Sequence, residues 1–495
     1  EERQTYGDVM LNLSKTFKEK FSLDAHIGAS IKDNRFDELS VYGPIAGAPN
    51  IFNVVNLDKS QKKTPKTGWH EQTQSFFYSL ELGWKSSQLA NSPQKSFFYP
   101  SVGVSWLPSS TFNFPEKFNY LKIRASWASV ANPFPRELTI ATHPYDDTIS
   151  GWDDKSNYPI GQLYPERTKT WELGFDARFL HGFTLSASWY RADTYNQTFN
   201  PNLSASSGYS DIYIQTGHVR NTGVEASLGY DHQWKNWNWN SQFTFSWNKN
   251  KIIELCKEWY NPITEETITM NRLQISKLGR AKFILKEGGS MGDLYSTTDL
   301  RRDDKGNIEI DEGGNVVVED NLPDMKLGSV FPDYNLAWRN SVSWKNLNLG
   351  FLVTARIGGI VNSLTQANMD LFGVSEATAA ARDAGGALVN GRSLVNPETW
   401  YTAIASQGGI PQYYTYSATN VRLQELSLGY TIPRKWLHNI CSITVSFVGR
   451  NLWMMYCKAP FDPEAVASTN NFYQGMDYFM MPSTRNLGFN INIKF

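Results

Sequence analysis

Cysteine is nearly missing from this sequence: three among 495 residues, and Cys256, Cys441 and Cys457 are too far apart for a CxxC pair or a disulfide framework. Thioredoxin-like sites, zinc ribbons and disulfide scaffolds are thereby excluded. No apolar run approaches the ~20 residues a membrane helix needs, so any bilayer crossing falls to strands. An excess of one charge is lacking too, since 47 Lys and Arg stand against 48 Asp and Glu with no long tract of either sign. Nucleic acid and a polybasic membrane patch are poor partners for such a chain. The seven His lie without zinc-site spacing, and neither GxSxG nor HExxH occurs. No catalytic constellation, metal set or cofactor motif stands out, and the chain reads as a non-enzyme. The opening EERQTYGDVM has no initiating Met and no leader pattern, and alternation begins at once with Val9, Leu11 and Leu13. A C-terminal piece of something longer is expected.

What is abundant is aromatic: Phe, Trp and Tyr make up 14% of a chain whose mean hydropathy is −0.43. These rings fall into a period of two. TWELGFDARF puts Trp171, Leu173, Phe175, Ala177 and Phe179 on one face and Glu172, Gly174, Asp176 and Arg178 on the other. FTLSASWY continues after His181-Gly182, which predicts a hairpin. The pattern recurs in LKIRASW, VEASLGYDHQW, FTFSW, LAWRNSVSW and LNLGFLVTARI, and closes the chain as NLGFNINIKF. About fifteen such segments match the strand template.

Their length selects the architecture. Strands of soluble folds usually run about 5 to 6 residues, whereas many of these hold the pattern for about 9 to 14, enough to cross a bilayer at a tilt. The polar faces carry Lys122, Arg124, Glu172, Asp176, Arg178, Glu225, Asp231 and Arg356, which suits a hydrated lumen. Short turns at residues 18–20, 181–182 and 235–238 alternate with long connections near 132–166, 199–215, 253–288, 361–419 and 458–482, as outer-membrane barrels require. Trp189, Tyr190, Trp234, Trp237, Trp239 and Trp344 gather near strand ends, where interfacial girdles form; strand propensity of aromatics is the other reading. The fold class expected is all-β, a transmembrane antiparallel barrel.

GVSWLPSSTFNFPEKFNYLKIRASW, LYPERTKTWELGFDARF, HVRNTGVEASLGY, NVRLQELSLGYTIPRKWL, VGRNLW, FDPE and the closing strand resemble, in order and spacing, the C-terminal barrel of SusC/RagA-type TonB-dependent outer-membrane transporters of Bacteroidetes. The resemblance runs over nearly the whole chain. It implies a barrel of about 22 strands, with the plug, the TonB-contacting segment and the first strands lying upstream. It further implies a SusD-like surface lipoprotein and TonB as partners, outer-membrane lipid as surroundings, and a large nutrient as cargo, an oligosaccharide ahead of a peptide. A passive porin or adhesin barrel and a soluble β-rich glycan-binding protein are the other classes. Counting strands back from Phe495, a returning strand is expected to be missing between Trp84 and Phe97, with an omission of residues there the favoured reason.

Outer loops mounted on a rigid barrel are where a substrate would be gripped. GWDDKSNY offers Trp152, Asp153, Asp154 and Tyr158; ETWY offers Trp400 and Tyr401; QYYTY offers Tyr413, Tyr414 and Tyr416. Rings stacking on sugars, with carboxylates on hydroxyls, would suit an oligosaccharide; packing of the rings loop to loop is the alternative. Leu487, Phe489, Ile491, Ile493 and Phe495 are expected to close the barrel and guide its assembly. The acidic, Gly-rich run from Asp303 to Asp320 reads as a surface hairpin turning at Lys305-Gly306 and Gly313-Gly314, with calcium as the other reading although the DxDxDG register is missing. SEATAAARDAGGALV reads as a capped helix starting near Ser375.

Overall fold

A computed structural model describes residues 2–17, 21–45, 56–58, 62–64, 66–78, 82–87, 96–115, 117–132, 145–146, 151–152, 155–157, 164–199, 209–215, 217–261, 265–438, 440–468 and 473–494. Fifteen strands form one sheet in sequence order, every neighbouring pair antiparallel. The first five are β1 (Glu2–Phe17), β2 (Phe21–Leu39), β3 (Lys66–Tyr78), β4 (Leu82–Ser87) and β5 (Ser96–Trp106). Next come β6 (Phe118–Asn132), β7 (Glu166–Phe179), β8 (Phe183–Tyr195), β9 (His218–Trp234) and β10 (Trp237–Glu254). The last are β11 (Tyr334–Trp344), β12 (Leu347–Ile357), β13 (Asn420–Thr431), β14 (Ser442–Cys457) and β15 (Asn486–Lys494).

Register converts the sequence alternation into two faces. Ile123 opposes Phe175, Phe175 opposes Ala187, Ala187 opposes Ala226, Ala226 opposes Phe245 and Phe245 opposes Leu336, so one apolar row crosses six strands. One residue along, Arg124, Gly174, Ser188, Glu225, Ser246 and Asn335 form the matching polar row. Among the described residues nothing covers the apolar face of β7 at Trp171 and Leu173, which keep more than half of their surface, 55% and 54%. The buried hydrophobic clusters lie instead in the long loops and the strand ends that feed them. A water-soluble sheet would hide this face, whereas a lipid-facing one has no reason to.

Side chains of the polar face bond to one another. Arg124 donates to Asp176 at 2.7 Å, Ser186 donates to the other oxygen of the same carboxylate at 2.7 Å, and Gln242 donates to Ser227 at 3.1 Å. Gly174 lets the Arg124 guanidinium lie flat on the sheet, because a Cβ there would stand 2.6 Å from its Nε. Gly223 does the same for the Tyr190 ring. A recess of about 720 Å³ on this face is lined by Arg124, Ser188, Glu225, Asn335, Arg356 and Glu464 among others.

Connections alternate as expected, short at 180–182, 235–236 and 345–346 and long at 196–217, 255–333, 358–419 and 458–485. The turn at 18–20 lies outside the described residues. The connection after β10 is much longer than the expected 253–288, because the short strands Arg272–Leu278, Ala281–Lys286, Asp293–Ser296 and Met325–Ser329 pair with one another in a separate small sheet. The strand expected to be missing between Trp84 and Phe97 is a correction of another kind. Six residues, Leu82–Ser87, pair with β3 on one side and β5 on the other, and the alternation of direction is unbroken.

At the last strand, Ile493, Ile491 and Phe489 oppose Ile443, Val445 and Phe447, with the Phe447 and Phe489 rings edge-on at 5.7 Å. Leu487 opposes Gly449 on the same face. Among the described residues β15 pairs only with β14 and β1 only with β2. Phe495 lies outside them.

Candidate binding loops

Three long connections build one body at the long-loop end of the sheet. A single buried cluster takes Ala281, Phe283, Leu294 and Val330 from the loop after β10, Leu364 from the loop after β12 and Met476 from the loop after β14. Polar ties reinforce it: Asn390 exchanges both hydrogen bonds with the Ile308 backbone at 2.8 and 2.9 Å, and the Ser276 hydroxyl meets the Tyr473 hydroxyl at 2.7 Å.

Helices in the loop after β12 follow from local capping. Ser363 accepts from the Gln366 N–H and starts α1 (Leu364–Leu371); Ser375 accepts from Thr378 N–H and starts α2 (Glu376–Asp383), as its sequence predicts. Asn396 accepts from Glu398 and Thr399 N–H to start α3 (Pro397–Ala405), with Pro397 at a position where its missing N–H costs nothing. The three helix ends border a recess of about 460 Å³ lined by Asp370, Phe372, Thr378, Arg382, Glu398 and Tyr401 among others.

Of the aromatic candidates, Trp400, Tyr401, Tyr413 and Tyr414 meet in one cluster with Leu300, Ile404 and Ile410. Trp400 and Tyr413 stand edge-on at 5.9 Å. Tyr414 is a correction: it is 1% exposed and donates its hydroxyl to Asp370 at 3.0 Å, so it packs the loop body and offers no surface to a ligand. Tyr416 sits in a neighbouring cluster, edge-on to Phe461 at 5.6 Å. Tyr401 alone of the five lines the recess. Trp152 lies in a two-residue strand paired to Tyr145–Asp146, while Asp153, Asp154 and Tyr158 lie outside the described residues.

The phenols stay neutral. Burial, and then the Asp370 charge, raises Tyr401 and Tyr414, and the same pair of causes pushes Tyr416 up to about 12. They can stack and donate hydrogen bonds but cannot act as nucleophiles near neutral pH. Thr378, Arg382, Asn396 and Glu398 were invisible as site residues, although Asn396-Pro397-Glu398 is a helix-start signature that would have placed α3.

The acidic run forms two stacked turns. Asp303 accepts from the N–H groups of Lys305 and Asn307, and Asp311 from that of Asn315. The Asn307 side-chain amide and then its N–H hold the Asp303 carboxyl below its usual range, and the Asn315 N–H and then its side-chain amide do the same for Asp311. The carboxylates are thus occupied as turn acceptors, and no group of three or more metal-type side chains occurs among the described residues.

Two of the sequence motifs meet here. Arg422 of NVRLQELSLGY grips Asp462 of FDPE with two bonds, Nη2 to Oδ1 at 2.8 Å and Nη1 to Oδ2 at 3.1 Å, and Asn420 donates to Glu464 at 3.2 Å. A family model described as "TonB dependent receptor-like, beta-barrel" matches residues 5–452. The chain belongs to that family. The family is one of outer-membrane β-barrel receptors and transporters, the chain supplies fifteen strands of such a barrel wall, and the soluble reading falls.

TonB-dependent receptor P3 of Formosa agariphila is 26% identical over 465 residues, covering 86% of this chain and 44% of that protein. SusC of Bacteroides thetaiotaomicron is 20% identical over 390 residues, covering 73% of this chain and 37% of that one. The RagAB peptide importer in its open-open state superposes with a TM-score of 0.72 at 16% identity, over all of this chain and 55% of that one, a likeness of fold. The chain thus spans less than half the length of these two receptor relatives.

Proposed function

We propose that the chain is the C-terminal barrel wall and loop body of an energised importer of a large nutrient, an oligosaccharide. The observation that carries this reading is the pairing of a polar, charge-bearing sheet face with a folded loop body whose recess offers a ring and hydroxyl-binding groups together. Tyr401 would stack on a pyranose face, with Asp370, Glu398 and Arg382 available to its hydroxyls. Trp152, Asp153, Asp154 and Tyr158 would add contacts from the loop after β6, and Trp400, Tyr413 and Tyr416 would support the recess from within.

In this reading a SusD-like surface lipoprotein captures the glycan and lowers it onto the loops, and TonB, acting through an upstream plug, supplies the work that opens the lumen. Strands preceding Glu1 would complete the barrel, pairing with the free edges of β1 and β15, because an unpaired edge in hydrocarbon costs several kcal/mol per unsatisfied group. Leu487, Phe489, Ile491, Ile493 and Phe495 would then form the lipid side of the closing seam.

A peptide is the second cargo, favoured by the fold likeness to a peptide importer. Growth of a strain deleted for the full-length gene on a panel of purified polysaccharides and peptides separates them. Loss of growth on one glycan, restored by the wild-type gene and not by a Tyr401→Ala variant, supports the reading. Loss confined to peptides replaces it, and unchanged growth on every source rejects both.

A further inference from the structure

The apolar face changes character at its long-loop end. On β7, β8 and β10 the belt residues Trp171, Trp189 and Trp247 are each followed two residues outward, on the same face, by Lys169, Arg191 and Lys249. Register adds Arg220, opposite Lys251 on β10 and opposite Asp193 on β8. With Arg167, two residues beyond Lys169 on β7, six permanent cations therefore occupy four adjacent strands, a width of roughly 14 Å at ~4.8 Å per strand. Only Asp193 and Glu254 oppose them on that face.

Asp193 organises the cluster and leaves it positive. It is 6% exposed, and it accepts from Arg220 Nε at 2.7 Å and Arg191 Nε at 2.9 Å, while its Oδ1 lies 2.6 Å from His218 Nε2. Each guanidinium spends its Nε on this carboxylate, and its two terminal nitrogens engage no other carboxylate among the described residues. Lys169, Lys249 and Lys251 are exposed and form no ion pair among the described residues. Lys169 instead lies 5.2 Å from the Tyr195 ring.

Directly below, on the membrane side of the belt, the same face is hollowed. Small Ala187 between larger neighbours leaves a groove of about 530 Å³ lined by Ile123, Leu173, Phe175, Trp189 and Val224, almost wholly apolar. Cations at the headgroup level with an acyl-sized groove beneath them are the two halves of one lipid site.

We infer that the outer face of β6 to β10 holds a phosphate-bearing lipid of the outer leaflet. Its phosphates would sit among Lys169, Arg191, Arg220, Lys249 and Lys251, and one acyl chain would lie in the groove. Near-surface basic residues attract anionic headgroups additively, so the band acts as a unit.

The test uses the full-length transporter purified in detergent and incubated with lipid A, with the same lipid A enzymatically dephosphorylated, or with inorganic phosphate as competitor. Bound lipid is read by native mass spectrometry, and folding by the heat-dependent gel shift of an intact barrel. Retention of lipid A is expected. Lys169→Gln/Lys249→Gln/Lys251→Gln should weaken it roughly 10- to 100-fold, the triple Lys→Arg variant should keep it, and Lys345→Gln at the opposite end of the sheet should change nothing. Dephosphorylated lipid should be held as weakly as by the Gln variant, and millimolar inorganic phosphate should fail to displace lipid A. Equal retention by the Gln variant, or of dephosphorylated lipid, overturns the proposal, and displacement by free phosphate reduces the site to a simple anion patch and overturns it too. If the Gln variant does not fold, the dephosphorylated-lipid arm on wild-type protein decides.

Discussion

Arg422 and Asp462 form a two-pronged ion pair whose side chains are only 5% and 8% exposed, joining the outer end of β13 to the loop that precedes β15. Burial works to raise the Asp462 carboxyl, but hydrogen bonds from Arg422 and the Glu464 N–H outweigh it and the net shift is downward. Removing one partner strands the other charge. Arg422→Leu should destabilise the loop after β14 by about 3–5 kcal/mol, and Arg422→Leu/Asp462→Leu by clearly less. Limited proteolysis between residues 458 and 485 reads this; equal sensitivity of the single and double variants would count against the pairing.

The two faces of β7 predict opposite tolerances. Leu173→Arg places a charge on the lipid side just beneath the belt and should cost about 1–2 kcal/mol, whereas Glu172→Gln on the other face should have little effect. Urea titration of the folded protein in lipid vesicles compares them. Similar midpoints would place Leu173 away from lipid.

Within the loop body, Asp324 gives a pH signature. Arg272 donates to it at 2.5 and 2.9 Å and Lys286 stands 2.9 Å away, which holds its carboxyl far below the usual range. A carboxyl depressed in the folded state stabilises at every pH above its unfolded value near ~3.9 and loses that contribution as pH falls through the folded value. Hydrogen-exchange protection of Arg272–Leu278 should therefore be flat from about pH 8 to 5 and decline only in strong acid. Asp324→Asn should lower protection at pH 7 by about 1–3 kcal/mol and remove the acid dependence.

Under the proposed function Tyr401 serves binding and Tyr414 serves structure. Tyr414→Phe strips a hydrogen bond from the buried Asp370 carboxylate and should loosen the loop by about 1.5–3 kcal/mol. Tyr401→Ala trims the rim of the same cluster, so it should cost less loop stability than Tyr414→Ala, and it should lower glycan affinity about tenfold or more, as loss of a stacking ring does. Calorimetric titration paired with thermal unfolding checks both. A reversed pattern would exchange their roles.

What the sequence made legible was whatever a period of two can carry. Trp171, Leu173 and Phe175 declared their face alone, because strand geometry leaves no other placement, and the hairpin at residues 180–182 followed from turn residues that adopt left-handed backbone at Leu180 and His181. The six-residue β4 escaped notice since a short strand shows too few alternations to register. The loop body was harder still. Trp400 and Tyr414 look equally available as ring-bearing loop residues, and only the long-range packing of three connections buries one and leaves Tyr401 on the recess. The Arg422–Asp462 pair spans forty positions, and neither residue alone announces the other.

The outward pose of the apolar row rests on an independent length argument. Trp237 and Trp247 are ten residues apart on β10, about 34 Å along the strand and about 26 Å along the normal at a ~40° tilt, close to the ~25 Å apolar band of such barrels.

Spin labels placed singly at positions 171 through 178 of the full-length protein in lipid vesicles test the central claim most directly. Collision rates with oxygen, which concentrates in lipid, and with a water-soluble nickel chelate should alternate with a period of two. Positions 171, 173, 175 and 177 should favour oxygen and 172, 174, 176 and 178 the chelate. Eight labels that share one accessibility, or that alternate in the opposite phase, would contradict a sheet with lipid on its apolar face and water on its polar one.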